Sequence, residues 1–375
     1  MSIESDVVFQ RLNGWLLRKN TTSSIRRIPA INASIASDIG LHRTQNQDRV
    51  AILKGQDFNG DGYILIALSD GMGGMIDGEK CAAITVSEFF SSLIKKSQSF
   101  GMANDWLEQS ARSANNKIYK LYNGKGGATL SAVLIRQDRR VHWLNVGDSR
   151  IYLHNEQKIL QITKDDTIAG QIGHNEEIYA HRNELLQYIG IGSSLIVHTT
   201  KSELKENTSI VLTSDGVHYL GNDLINKIIS VAQDPGTAAK RLIDVAKYVS
   251  GHDNCSIAII RPGNDLAEIK DSENGQYEIW DPNGEIQILT IQTESKTEKT
   301  VKENGYKEVR STHQFKNTPQ NTTVKTSKPK KSTKNPLVKK TVREKDLLGD
   351  EINTNEPNEE NSDPKFRMIF NIQEK

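Results

Sequence analysis

Tyr63-Ile64-Leu65-Ile66-Ala67-Leu68-Ser69-Asp70-Gly71-Met72-Gly73-Gly74 decides the reading of this chain. An apolar run of strand length ends on a carboxylate and then on glycines, the pattern of a buried strand delivering an acid to a turn. Three other aspartates stand on similar turns beside apolar runs. They are Asp48 in Arg43-Thr44-Gln45-Asn46-Gln47-Asp48, Asp215 in Ser214-Asp215-Gly216, and Asp253 in His252-Asp253-Asn254. Carboxylates at strand ends can converge, and clustered hard oxygen ligands suit magnesium or manganese. Without a cation between them they would repel one another. The pattern therefore predicts a metal-dependent hydrolase.

Around this stretch, short strands are expected at 33–37, 49–53, 128–135, 141–146, 150–153, 158–162, 209–213 and 255–260. Apolar residues at helical spacing predict helices over 79–96, 105–122, 223–232 and 237–249, with a short amphipathic helix at 7–17. Runs of strands separated by paired helices predict an α+β fold: two packed antiparallel sheets, a β-sandwich, flanked by helices. Residues 1–30 read as an N-terminal extension and 31–263 as the catalytic domain. Residues 264–295 read as a β-hairpin extension with its turn at Pro282-Asn283-Gly284. From 296 to 375 few aromatics and many Lys, Thr, Asn, Glu and Pro residues predict a low-complexity, disordered tail. Its apolar island Phe366-Arg367-Met368-Ile369-Phe370 is expected to dock on a partner or back on the domain.

A net charge of +1 gives no general field for nucleic acid or membrane. The basic run at 328–340 reads as a solvated tail. The two cysteines, Cys81 and Cys255, are too few for a disulfide framework and read as reduced core residues. Neither a secretory leader nor a membrane-spanning run is visible, so a cytoplasmic location is expected. His42, His142 and His218 lack metal-ligand spacing and read as packing or surface residues.

Six landmarks together carry a family resemblance. They are Asp38-Ile39-Gly40 with Arg43 and Asn46-Gln47-Asp48, Asp70-Gly71-Met72-Gly73-Gly74, Gly127-Ala128-Thr129-Leu130, Asn145-Val146-Gly147-Asp148-Ser149-Arg150, Ser214-Asp215-Gly216 and Asp253-Asn254. In that order the chain resembles the bacterial branch of the metal-dependent protein phosphatases, the protein phosphatase 2C family. The resemblance implies a serine/threonine phosphoprotein phosphatase opposing a bacterial kinase, with two Mn2+ or Mg2+ ions and a weaker third. Asp70 would bridge two metals, and the Gly71 carbonyl would ligate one. Asp215 and Asp253 would hold the other, with Asp48 near the first. Asp148 with Asp215 would form the third site. Arg43 would hold the substrate phosphate, while metal-activated hydroxide attacks phosphorus in line without a covalent intermediate. Arg43, Asp48 and Asp70 are the expected catalytic set.

The chain departs from the family at Met72, where eukaryotic relatives carry His. In the flap region 163–192, Asp165-Asp166-Thr167 and Gln187 replace more usual residues. A scaffold or phosphoprotein-binding protein acting through the tail is the alternative function, and a regulator dedicated to one phosphoprotein is a third.

Overall fold

The computed structural model describes residues 3–18, 22–155, 158–172, 184–263, 275–290 and 367–372. Among these described residues fourteen strands form two sheets. One, of six strands, runs β1(Ser23–Ile28), β2(Ala33–Asp38), β11(Cys255–Ile260), β10(Ser209–Thr213), β7(Arg150–His154) and β8(Ile159–Gln161). The other, of eight, runs β14(Arg367–Ile372), β13(Gly284–Thr290), β12(Gln276–Asp281), β3(Asp48–Gln56), β4(Gly62–Asp70), β5(Leu130–Arg136), β6(Arg140–Val146) and β9(His198–Glu203). All pairings are antiparallel except the parallel pair β13–β14.

Strand alternation explains the layers. In β3, Val50 and Ile52 face the other sheet, while Ala51 and Leu53 face the helices α1(Ile3–Leu16), α2(Gly78–Ser97) and α3(Ala103–Tyr122). Both faces of β3, β4 and β5 are covered, so these strands are buried nearly throughout, and their middles are apolar. After the short helices α4(Ile168–Ile172) and α5(Asp215–His218), a third apolar layer holds α6(Asn222–Ser230) and α7(Pro235–Val249) on the six-stranded sheet. The result is a sandwich of two sheets with helices on both outer faces, as the sequence predicts. Among the described residues no helix is long and apolar enough to cross a membrane. Cys81 and Cys255 are buried and unpaired.

The N-terminal thirty residues are more than an appendage. Val8, Leu12, Trp15 and Leu16 of α1 are buried in the core shared with α2. Ser23–Ile28, polar and basic in sequence, pairs residue for residue with β2. It is an edge strand, so a partner ladder rather than an apolar face decides its conformation. The hairpin β12–β13 extends the large sheet beside β3 and buries Tyr277, Ile279, Trp280, Ile286 and Ile288. Arg18 fastens the two additions together. Its guanidinium meets Asp281 at 2.6 Å and lies 4.4 Å from the Trp15 ring centroid. Arg26 Nε donates to the Asp281 carbonyl, and Ser24 Oγ to that of Pro282. Arg367–Ile372 lies along β13 as a strand, which matches the docking back on the domain expected of the apolar island and departs from disorder through residue 375. The disorder expected over 296–365, and Phe366 itself, lie outside the described residues.

Candidate metal centre

The site is built at one end of the sandwich, where strands of both sheets terminate. Asp48 opens β3 and Asp70 closes β4, and the register places them opposite one another. The Asp70 peptide is fixed on both sides by Thr129. Its N–H donates to Thr129 Oγ1 at 2.9 Å, and its carbonyl accepts from the Thr129 N–H at 2.8 Å. Thr129 Oγ1 is also 2.9 Å from Ser149 Oγ, which ties Asp70 to the turn carrying Asp148.

After Asp70 the chain passes close to the start of α2. A Cβ on Gly71 would lie 2.1 Å from the Gly78 carbonyl oxygen, so only glycine allows this approach. Asp148 sits on the turn between β6 and β7, Asp215 opens the short helix α5(Asp215–His218), and Asp253 precedes β11. Asn254 holds the Arg43 loop: its Oδ1 accepts from the Gln47 N–H, and its Nδ2 donates to the carbonyls of Ile39 and Gln45.

Arg43, Asp70, Gly71, Asp148, Asp215 and Asp253 line one cleft of about 450 Å³. Asp48 lies behind it, buried, with Ser214 Oγ donating to its Oδ2 at 2.8 Å. A second cleft of about 880 Å³ shares Asp148, Asp215 and Asp253 and continues past Lys164, Asp165 and Tyr219. Every residue expected at the site from sequence is thus brought to this pole. Arg43 reaches Asp253, with Nη2 at 2.6 Å from Oδ2.

The electrostatics follow from burying like charges together. Loss of solvent is the main cause raising Asp48 to about 7, with the charges of Asp215 and Asp253 adding to it and hydrogen bonds from Ser214 and Ser256 opposing it. Burial, then Asp148 and Asp253, push Asp215 to about 7. Asp70 is driven well above the carboxylate range by burial and by Asp48, Asp215, Asp148 and Asp253. Asp148 rises to about 6, chiefly through burial.

Two carboxylate oxygens, Asp48 Oδ1 and Asp215 Oδ1, are buried with no hydrogen-bond partner. A buried orphan of that kind is costly unless something positive meets it. Divalent cations fit these residues. The carboxylates ring the cleft rather than closing on one point: among the described residues no three His, Cys, Asp or Glu side chains gather tightly enough to chelate an ion. Magnesium tolerates such a site, because it keeps several waters and needs one or two carboxylates, and manganese shares its octahedral oxygen preference.

The sequence pattern of the protein phosphatase 2C family matches residues 42–246, more than half the chain. The chain belongs to the protein phosphatase 2C family. A protein phosphatase 2C-type relative from Streptococcus pyogenes is 30% identical over 241 residues, covering 60% of this chain and 96% of its own. The solved serine/threonine phosphatase of S. agalactiae is 28% identical with a TM-score of 0.55, covering 61% of this phosphatase and 98% of that chain. A catalytic domain of PstP, solved in complex with two manganese ions, is 25% identical with a TM-score of 0.52. That alignment covers 64% of this phosphatase and 100% of that domain.

The flap departures of this phosphatase have structural partners. Asp165 accepts two hydrogen bonds from Arg150, from Nε at 3.0 Å and Nη2 at 2.7 Å. Asp166 Oδ2 accepts from the Gly147 N–H. Thr167 bridges to Leu185 and its Oγ1 accepts from the Gly170 N–H. Gln187 turns away from the cleft to accept from the Ile196 N–H. Arg182 and Asn183 lie outside the described residues.

Sequence reasoning missed the supports behind the acids. Asn115, buried in α3, accepts from the N–H groups of Gly190 and Gly192 and donates to the Gly192 carbonyl. It thereby holds the loop carrying Tyr188, which lines the cleft. An isolated polar residue in an amphipathic helix gave no signal of this. The glycines at 190 and 192 are the only local hint in the sequence of an unusual loop, and in the structure they take φ 116° and 85°.

Proposed function

We propose that this phosphatase hydrolyses serine and threonine phosphate monoesters of proteins by direct water attack, with Arg43, Asp48 and Asp70 as its catalytic set. The observation that carries the assignment is the convergence of Arg43, Asp48, Asp70, Asp148, Asp215 and Asp253 at one pole, with two buried carboxylate oxygens lacking partners. Asp48, Asp70, the Gly71 carbonyl, Asp148, Asp215 and Asp253 would hold manganese or magnesium ions. Such ions supply a Lewis acid that makes water nucleophilic near neutral pH and offsets phosphoryl charge.

The chain's own residues do the rest. Arg43, on an exposed loop anchored through Asn254, presents a planar fork to phosphoryl oxygens. Thr129 and Ser149 hold Asp70 from beneath, so the acid does not reorganise as charge develops. Met72 has no proton to give, which leaves protonation of the departing serine or threonine oxygen to water. The long second cleft would take the polypeptide on either side of the phosphorylated residue.

The proposed physiological setting is cytoplasmic reversal of a serine/threonine kinase, with catalysis in 31–263, accessory elements in 1–30 and 264–295, and a partner-binding role for 296–375. The test is p-nitrophenyl phosphate hydrolysis with manganese, with chelator, and with Asp70→Asn. Manganese-dependent turnover lost in both controls supports the assignment. A folded, manganese-saturated wild-type protein without turnover sinks it.

A further inference from the structure

Arg49 follows Asp48 on β3, so strand alternation sends the two side chains to opposite faces. Asp48 faces the gap between the sheets. Arg49 faces the helices and is only 5% exposed. Its guanidinium donates four hydrogen bonds. Nε gives one to the Leu16 carbonyl at 2.8 Å, and Nη1 gives two, to the carbonyls of Asn46 at 2.8 Å and Asp48 at 2.7 Å. Nη2 donates to Glu79 Oε1 at 2.7 Å.

Those acceptors belong to four functional pieces. Leu16 is the end of α1, Asn46 belongs to the Arg43 loop, Asp48 is the buried acid itself, and Glu79 is in the first turn of α2. The last turn of α1 contains no basic residue, and its terminal carbonyls draw positive charge from outside: Arg49 at Leu16 and Arg18 at Trp15. The first turn of α2 in turn sets Gly78, whose carbonyl packs on Gly71. One buried side chain thus spans from an N-terminal helix to both strand-end loops of the acidic pole. That helix lies outside residues 42–246, the segment matched by the family.

We propose that Arg49 is a positioning residue that couples α1 to cation binding, so that α1 docking and metal affinity rise and fall together. The inference rests on the metal-centre reading above. Lysine keeps the charge of Arg49 but cannot reach four divergent acceptors. Partners that orient ligands in this way typically control metal affinity by 10–100-fold. Coupling is also reciprocal: if loss of α1 docking weakens the metal by some factor, the metal suppresses α1 opening by the same factor.

The experiment is manganese titration calorimetry on the full chain, wild type and Arg49→Lys, with hydrogen exchange of α1 amides followed by mass spectrometry. The expected result is a dissociation constant about 10-fold weaker in Arg49→Lys, with kcat at saturating manganese little changed. In the wild type, manganese slows α1 exchange by a similar factor, and in the variant it does not. An Arg49→Lys protein that is less stable but binds manganese as tightly as wild type overturns the proposal. So does wild-type α1 exchange that ignores manganese. Should Arg49→Lys not fold, Glu79→Gln, altered at a part-exposed acceptor, must show the same loss in smaller degree, and unchanged affinity there overturns the coupling. Wild-type protein that binds no manganese overturns the metal centre and the coupling with it.

Discussion

Replacing Asn115 with alanine removes three hydrogen bonds at once: from the Gly190 N–H at 2.9 Å, from the Gly192 N–H at 3.2 Å, and to the Gly192 carbonyl at 2.8 Å. All three lie in buried surroundings where water does not replace them readily. A buried backbone group left unpaired costs about 1–3 kcal/mol, and the three share one side chain, so their losses are not additive. The expected destabilisation is about 2–4 kcal/mol, or roughly 5–10 °C in melting temperature for a body of this size. Measured at fixed manganese concentration, the variant should melt lower, and its KM for p-nitrophenyl phosphate should rise more than its kcat falls. The kinetic effect arises because the loosened loop carries Tyr188 into the cleft and pairs Ile189 with Ala128 beside Gly71. Asn115→Leu separates the causes, since it restores volume without hydrogen bonds. Recovery of wild-type stability in Asn115→Leu would refute the reasoning, because the loss would then come from a cavity.

Arg43→Ala should lower kcat/KM on phosphate esters by about 10–100-fold, the worth of a charge-assisted hydrogen bond, with Arg43→Lys restoring only part. Asp70→Asn should abolish turnover yet melt higher than wild type in chelator at neutral pH, because burial among other acids forces a proton onto Asp70 that its unfolded carboxylate does not carry, and the amide escapes that cost; a lower melting point would contradict the electrostatics. In chelator the wild-type protein should lose stability as pH rises from about 4 to about 7. Asp48 and Asp215 titrate higher folded than unfolded, so their contribution is intact below the unfolded value and lost through the folded one. Denaturation midpoints across that range, flat or rising, would contradict it. Ending the chain after Thr290 should keep turnover on p-nitrophenyl phosphate, whereas ending it after Pro262 should produce unstable protein, because Tyr277, Ile279 and Ile286 are fully buried. Circular dichroism melts of the two truncations decide this.

The acids were legible in sequence because each is delivered by a strand whose apolar run is itself legible. Four of the helices were likewise readable from spacing: the structure starts each one or two residues earlier, and ends α6 two residues sooner than expected. What escaped was whatever depends on a distant partner. Ser23–Ile28 and His198–Glu203 are polar edge strands whose only signal is the ladder they join. Arg49 reads as one more charge after an acidic turn until Leu16 and Glu79 arrive beside it. Asn115 is one polar letter on an otherwise ordinary helix. Thr129 belongs to a recognisable landmark, but its hold on Asp70 exists only once β4 and β5 are paired.

The pairing of β3 with β4 has a consequence for descent. Nine rungs run from Asp48 opposite Asp70 to Gln56 opposite Gly62. One residue inserted within either strand would throw every later side chain to the other face, carrying an acid to the helix side. The hairpin therefore acts as a ruler, and lineages of this enzyme can change length only at its far end, in the turn around Phe58-Asn59-Gly60.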